Sequence, residues 1–496
     1  MIKVEKINDD FKFEALYDNT TKAEDILEQY NVDQATVYIT KNGKYIVQEP
    51  MLSKDAYDIL QKMMPGIQAD FPVDVSESSK LEIIRKAIEI ESRSTNKNNI
   101  LRAEWKKIQY ALKRDLVEYG KLSVLMKDTN LEDIVCSQYK QNIAVSHKEF
   151  SQFVFLNTNI KFNTHTELND LLQSIMQEMS ISPSLVNPII YTRTANAHRL
   201  TVGWDKTISQ KGTFFYIRKF PEKPYTIVDL LMQGTLNEII IAYIWMMHDS
   251  DAFYMIAGNV GTGKTTLLNT LLCVSNPTMH VITIEDSQEL QVPHKLTENY
   301  TTRTAITGNK STEITMSDLF KLSLRAIPTL TIVGEVRGIE AKLVFQYGPS
   351  GHGHIFTFHE ESSESGLRRL TQDQFGVSPN QLADLWFVVH TRNILKNNKK
   401  NRRITNIDEI VSKSGDITTK SVFTYNQLKD RHSPDNIEEL IENSANISRA
   451  TKVLGIQDVY SDLEKRIKFI RKCVSLKADT PAKILSTIAP FYKFEI

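Results

Sequence analysis

The spacing of apolar residues changes along this chain, and each spacing predicts an element. Leu81, Ile84 and Ile88 share one helical face, and Trp105–Glu118 makes a second helix rich in Lys and Arg. In Thr164-His165-Thr166-Glu167, a Thr at the N-cap and a Glu three residues on form a capping box. Leu168, Leu171, Leu172, Ile175, Met176 and Met179 then line one side of an amphipathic helix. Alternating segments follow at Ile189–Thr194 and Arg199–Trp204, then a strand at Gly212–Arg218. Upstream, residues 1–75 are weakly patterned. A hairpin is expected at Ala35–Val47 around Asn42-Gly43, and Ile67–Lys80, with Pro72 and a Ser/Glu cluster, reads as a linker.

The two prolines of Phe220-Pro221-Glu222-Lys223-Pro224 forbid regular structure and mark an interdomain linker. From Ile227 onward helices and short apolar strands alternate. Helices are expected at Leu236–Met247, Lys264–Leu272, Asp318–Arg325 and Ile339–Gln346, and strands at Ala252–Ala257, His280–Ile284, Leu330–Val333 and His354–Thr357. That alternation predicts an α/β fold with a mostly parallel sheet and helices on both faces. Residues 430–496 are helical and amphipathic. The expected domains are a variable region at 1–75, a smaller α+β domain at 76–222, the α/β domain at 226–429, and its helical C-terminal part at 430–496.

Length and charge narrow the function. A chain of 496 residues is long enough for about three domains. Lys+Arg and Asp+Glu both number 60, so the net charge is zero, against the basic excess of proteins that coat nucleic acid. The dense basic run Lys399-Lys400-Asn401-Arg402-Arg403 reads as a solvated turn before a strand. Cys136, Cys273 and Cys473 are far apart and form no CxxC pair, which argues against a zinc ribbon or disulfide framework and fits a reducing cytosol. Met1–Phe13 shows no signal-peptide pattern. The most apolar stretch, Ile239–Met247, is far short of the roughly 20 residues that span a bilayer. Work at a membrane would need a docking partner.

The clearest chemistry is Gly258-Asn259-Val260-Gly261-Thr262-Gly263-Lys264-Thr265, which fits GxxxxGK[ST]. It follows the apolar strand Phe253–Ala257 and precedes a helix that opens at Thr266, the strand–loop–helix context a phosphate loop requires. Glycines let successive backbone N–H groups turn toward phosphates, and the helix N-terminus adds positive charge. Lys264 is placed to reach the β- and γ-phosphates of ATP, and the Thr265 hydroxyl to ligate Mg²⁺.

Two strands end in acids. Val281-Ile-Thr-Ile284 runs into Glu285-Asp286 with Glu289 close behind, and Leu330-Thr-Ile-Val333 runs into Gly334-Glu335. Ligands of open α/β sheets lie at the carboxyl ends of strands. Glu335 is the candidate to orient the attacking water, and Glu285 the electrostatic partner near metal and water. A strand-end acid can instead cap the following helix, and for Asp286 both readings stand. His359, at the end of a third strand, is placed to sense the γ-phosphate or move protons. His354 reads as structural.

These boxes, in this order, resemble the type II/type IV secretion (traffic) ATPases, most closely the archaeal branch that powers type IV pili and the archaellum. The resemblance rests on Gly258–Thr265, Thr283-Ile-Glu-Asp-Ser-Gln-Glu-Leu290, Val333-Gly-Glu-Val-Arg-Gly338, and Gly351-His352 through Thr357-Phe-His359 followed by Arg369-Leu370. Upstream it includes Leu112–Asp115, Tyr119-Gly120, Leu125–Asp128, Glu132-Asp133-Ile134, Arg199-Leu200 and Phe215–Phe220, and it covers about residues 80–430. Ile327-Pro328-Thr329 stands where the family often has Arg-Pro-Asp, and Glu360 where a small residue is usual.

The resemblance implies a RecA-like P-loop ATPase core preceded by a smaller α+β domain. It implies a homohexamer, with ATP at the junction of the two domains and Arg218 and Arg199 reaching phosphates from the N-terminal domain. It also implies docking onto a polytopic membrane platform protein, hence a cytoplasmic protein peripheral at the inner face of the cell membrane. Two other readings are a nucleic-acid translocase on a similar core, disfavoured by the zero net charge, and a nucleotide-bound scaffold, disfavoured by the intact Lys264, Thr265 and Glu335.

Overall fold

A computed structural model describes residues 25–69, 77–94, 99, 103–179, 181–220, 223–303, 313–349, 351–396, 399–413 and 416–493. The sequence readings of Met1–Phe13, Pro72 and Pro221-Glu222 lie outside them. The chain divides into two compact units, Met1–Glu222 and Lys223–Ile496.

The first unit is built on nine strands: β1 Ile26–Val32, β2 Ala35–Thr40, β3 Lys44–Gln48, β4 Leu131–Cys136, β5 Asn142–His147, β6 Leu156–Lys161, β7 Ile189–Arg193, β8 Arg199–Gly203 and β9 Phe214–Arg218. Their order across the sheet is β1-β2-β3-β6-β5-β4-β9-β8-β7. The turn at Asn42-Gly43 joins β2 to β3 as the turn chemistry suggests. Strands β1–β3 do not stand apart: β3 pairs in parallel with β6, and the hydroxyls of Tyr30 and Tyr45 each donate to Asp128 Oδ2 at 2.6 Å. Helix His165–Glu178, capped by Thr164, lays Leu168, Leu172, Ile175 and Met176 on the sheet's buried face. Helices Lys54–Ala69, Glu77–Ser94 and Trp105–Leu116 share a separate core through Ile59, Ile84, Ile88, Ile108 and Leu112. Part of the stretch read as a linker at 67–80 is therefore helix.

The second unit carries β10 Phe253–Ala257, β11 His280–Glu285, β12 Leu296–Thr301, β13 Leu330–Val336, β14 Gly353–Phe358, β15 Phe387–Lys396, β16 Lys399–Lys413, β17 Asp416–Asn426 and β18 Arg431–Ser433. The order is β12-β11-β13-β14-β10-β15-β16-β17-β18. β12 through β15 run parallel, and β16–β18 extend the sheet antiparallel. This is the expected α/β core with a mostly parallel sheet. β10 lies at its centre with all five residues buried, as a parallel strand covered on both faces must be.

Every residue from Ile239 to His248 of helix Glu238–Asp249 is buried. The C-terminal helices cover it. Arg466 on helix Val459–Ser475 bonds Asp249 at 2.6 Å and Asp462 at 2.7 Å, and Tyr492 donates to the other Asp249 oxygen. Each charge in this buried group has its partner, the condition under which burial is tolerated.

The sequence reading gave no strand at β15 or β17, and β18 falls in residues 430–496, which were expected to be helical. β12 was not anticipated, because Leu-Thr-Glu-Asn-Tyr-Thr shows no apolar alternation. And Lys399–Arg403 is the start of a strand rather than a solvated turn. Backbone pairing with β15 holds it, and Arg403 is buried because Asp430 takes its guanidinium at 3.1 Å. That partner is 27 residues away, out of reach of a local pattern.

Candidate nucleotide site

The loop after β10 is shaped by what lies behind it. A Cβ on Gly258 would stand 2.5 Å from the backbone oxygen of Thr391 on β15, so only glycine fits. Thr391 Oγ1 lies 2.9 Å from Thr262 Oγ1, which donates to the oxygen of Asn259 at 2.8 Å. Asn259 Nδ2 donates to Glu361 at 2.7 Å, and Asn393 Nδ2 to the oxygen of Gly261 at 3.3 Å. Gly263, at φ 87°, is the N-cap of helix Lys264–Leu271, a left-handed position that favours glycine. Gly261 and Val260 are exposed at the loop tip. Thr265 and Thr266 sit in the first helical turn, whose free N–H groups and dipole suit an anion.

Lys264 is buried. Its ammonium donates to the oxygens of Gly258 at 2.8 Å and Asn259 at 3.1 Å, and lies 3.1 Å from His359 Nδ1. Burial draws its pKa down to about 8, partly opposed by the charge of Glu335.

His359, just after β14, carries the contact onward. Its Nε2 lies 2.6 Å from Glu335 Oε1. Because Lys264 can only donate, Nδ1 must accept and Nε2 must hold the ring proton. Glu335 Oε2 takes Arg337 at 2.7 Å, and Arg337 reaches Asp286 at 3.2 Å. A continuous polar chain thus runs Lys264–His359–Glu335–Arg337–Asp286. The register between β13 and β14 slips between Val333 and Val336. Such a bulge re-aims a side chain, and Thr357 fixes it by donating to the oxygen of Gly334 at 2.5 Å.

The electrostatics follow. Burial raises the Glu335 pKa, but the bond and charge of Arg337, with His359 and Lys264, outweigh it and hold the carboxyl below its ordinary range. Burial, then the Lys264 charge, push His359 below the ordinary imidazole value against the pull of Glu335. At neutral pH the pair is a carboxylate and a neutral imidazole.

Glu285 lies beside Gly334 on the adjacent strand. It is 3% exposed, and its carboxylate accepts the backbone N–H groups of Glu289 at 2.9 Å and Leu290 at 3.2 Å. It therefore also shapes the turn that presents Asp286. Arg337 was quoted in the sequence reading without a role. Its signal was its place two residues after Glu335, where a strand-end cation meets a strand-end acid. Thr391 gave no signal, because its role depends on β15 lying next to β10.

In the first unit, Arg193, Arg199 and Arg218 are direct cross-strand partners on β7, β8 and β9. They lie on one face, opposite the buried Leu200 and Ile217. Arg218 also bonds Asp133 at 2.9 Å.

The loop Gly258–Thr265, the strand-end Glu335 and His359 thus come together on a mostly parallel sheet. Residues 205–477 match the family described as Type II/IV secretion system protein, and this chain belongs to that family of secretion ATPases. An uncharacterized protein of Methanocaldococcus jannaschii is 30% identical over 403 residues, covering 80% of this chain and 72% of its own length. The type IV secretion system protein PtlH of Bordetella pertussis is 35% identical over 118 residues, 24% of this chain and 35% of its own. The crystal structure of the ATPase DotB of Legionella pneumophila aligns over 73% of this chain and 91% of its own at 17% identity. Its TM-score is 0.43, a likeness too distant to add to the family assignment.

Proposed function

We propose that this chain hydrolyses ATP to ADP and phosphate, and that a homohexamer of it drives assembly of a type IV pilus-like or archaellum filament, or protein secretion, through a polytopic membrane platform protein. The observation that carries the hydrolysis reading is the chain from Lys264 through His359 to Glu335, with nitrogen–nitrogen and nitrogen–oxygen distances of 3.1 and 2.6 Å. It joins a phosphate-loop cation to a general-base candidate with a defined proton position.

In this reading the amides of residues 259–266 bind the phosphates, with Lys264 on the β- and γ-phosphates. Glu335, kept ionised by Arg337, orients water against the γ-phosphate and accepts its proton; His359 holds Glu335 in place and registers the γ-phosphate through Lys264. Mg²⁺ fits the donors present. No group of three His, Cys, Asp or Glu side chains that could cage a metal occurs among the described residues. A single hydroxyl on Thr265 beside phosphate oxygens suits an ion that keeps several waters. When bound, Mg²⁺ neutralises charge on the leaving phosphates. Glu285 contributes its negative charge from the neighbouring strand, and Arg218 and Arg199 are proposed as phosphate ligands.

No helix among the described residues is long and apolar enough to cross a membrane. The reading assigns the membrane contact to the platform protein, with this chain at the inner face of the cell membrane. Phosphate release by purified protein with magnesium, compared with Lys264→Ala and Glu335→Gln, tests the hydrolysis. Equal rates in all three would overturn it. Sedimentation with and without nucleotide tests the hexamer.

A further inference from the structure

The Lys264 ammonium has three N–H donors, and all are in use, on the oxygens of Gly258 and Asn259 and on His359 Nδ1. It can meet phosphate oxygens only by giving up some of these bonds. If Lys264 turns to the β- and γ-phosphates, as the nucleotide reading above has it, His359 loses the partner of one ring nitrogen. Its place at Glu335 then has to be secured by something else.

The segment that follows His359 is gripped from several neighbouring elements. Arg369, on helix Ser363–Leu370, donates to the backbone oxygen of His359 at 3.0 Å and to Glu360 Oε2 at 3.4 Å. Its guanidinium lies 5.5 Å from the ring centres of both Phe358 and Phe375, which are buried. Cation–π attraction to two fixed rings restricts where that guanidinium can go. The Glu361 backbone oxygen accepts from Arg392 on β15 at 2.7 Å, and its carboxylate accepts from Asn259 of the phosphate loop at 2.7 Å. Further on, Ser363 Oγ donates to Asp408 on β16 at 2.7 Å and lies 2.6 Å from His390 Nε2 on β15, and all three residues are buried. A side chain keeps a productive geometry only when the backbone carrying it is held, and here it is held at His359, Glu361 and Ser363.

We propose that residues 359–363 form a strap that keeps His359 against Glu335 while Lys264 holds phosphate, with Arg369 and Glu361 as its positioning residues. Both act through His359. Because Asn259 belongs to the phosphate loop, Glu361 also ties the strap to the position of that loop. This rests on the nucleotide reading above and adds what holds the bridging histidine during turnover.

The test measures phosphate release by the full chain with ATP and magnesium, with kcat and KM taken separately. The variants are Arg369→Met, Glu361→Ala and Glu361→Gln, each also combined with His359→Gln. kcat should fall about tenfold in Arg369→Met and about fivefold in Glu361→Ala, with KM within about twofold, since Lys264 and the loop amides are untouched. Glu361→Gln keeps an oxygen for Asn259 and should stay within about twofold of wild type. In the His359→Gln background neither Arg369→Met nor Glu361→Ala should cost anything further. Glu361 is exposed, so its variants decide the matter if Arg369→Met fails to fold. A wild-type rate in Glu361→Ala, equal losses in Glu361→Gln and Glu361→Ala, or losses that multiply with that of His359→Gln would overturn the proposal and leave the hydrolysis reading standing. A wild type that releases no phosphate would sink both.

Discussion

His359 stands between Lys264 and Glu335, with one ring nitrogen 3.1 Å from the lysine ammonium and the other 2.6 Å from the carboxylate. A neutral imidazole is the only form that can serve both, since Nδ1 has to accept and Nε2 has to donate. Changes at the phosphate loop are therefore felt at the candidate base through one ring.

The first prediction concerns pH. His359 is held below the ordinary imidazole value, so its neutral form persists through the range where a free histidine gains its proton. kcat/KM should hold level around neutral pH, bounded on the alkaline side by loss of the Lys264 proton near pH 8, and on the acid side should fall only below about 6.5, the ordinary histidine value. In His359→Gln the level rate should drop at least tenfold and the histidine-dependent part of the acid limb should disappear. A wild-type acid limb centred above pH 7 would contradict the arrangement.

Arg337 lowers both Glu335 and His359. Removing it should raise both, moving the acid limb toward neutrality. Arg337→Ala is expected to lose about tenfold in kcat with that shift, and Arg337→Lys to recover part of it. A pH–rate profile of the three proteins decides it. An unshifted limb in Arg337→Ala would reduce Arg337 to a surface ion pair.

Glu335→Gln keeps the shape of the side chain but removes its ability to take a proton. ATP binding, read by calorimetry, should stay within about threefold of wild type, while turnover falls on the order of 100- to 1,000-fold. Retained turnover would move the base elsewhere, with Glu285 the next candidate.

Lys264 gives a prediction about stability. Its folded pKa of about 8 lies below the ordinary 10.5. Below pH 8 both folded and unfolded chains carry the charge, and the folded state bears the full cost of burying it; that cost is relieved as pH rises from 8 to 10.5. Without nucleotide, Lys264→Met should therefore melt at or above the wild-type temperature at pH 7, with less gain in stability on going to pH 10. It should also lose the rise in melting temperature that ATP gives wild type. A variant that melts well below wild type would show that the bonds to Gly258 and Asn259 outweigh the burial cost.

Local pattern determined much of this protein. The strand–loop–helix around Gly258–Thr265, the acids closing β11 and β13, and the helix–strand alternation that builds a parallel sheet all rest on interactions within a few residues. Hydrophobic spacing and turn chemistry report such interactions directly. Helix boundaries shifted by one or two residues, as at Met316–Ser323 against the expected Asp318–Arg325, because the Thr315 capping box starts that helix earlier.

What tertiary structure decided depends on contacts between distant segments. His359 became a bridge because β14 lies between β13 and β10. Arg403 could be buried because Asp430 meets it, and Gly258 had to be glycine because Thr391 backs the loop. Thr235 and Arg402, 167 residues apart along the chain, came to line one cleft. Charge neutralisation and close packing act through space, and a linear pattern carries only the part of them that the chain's own periodicity repeats.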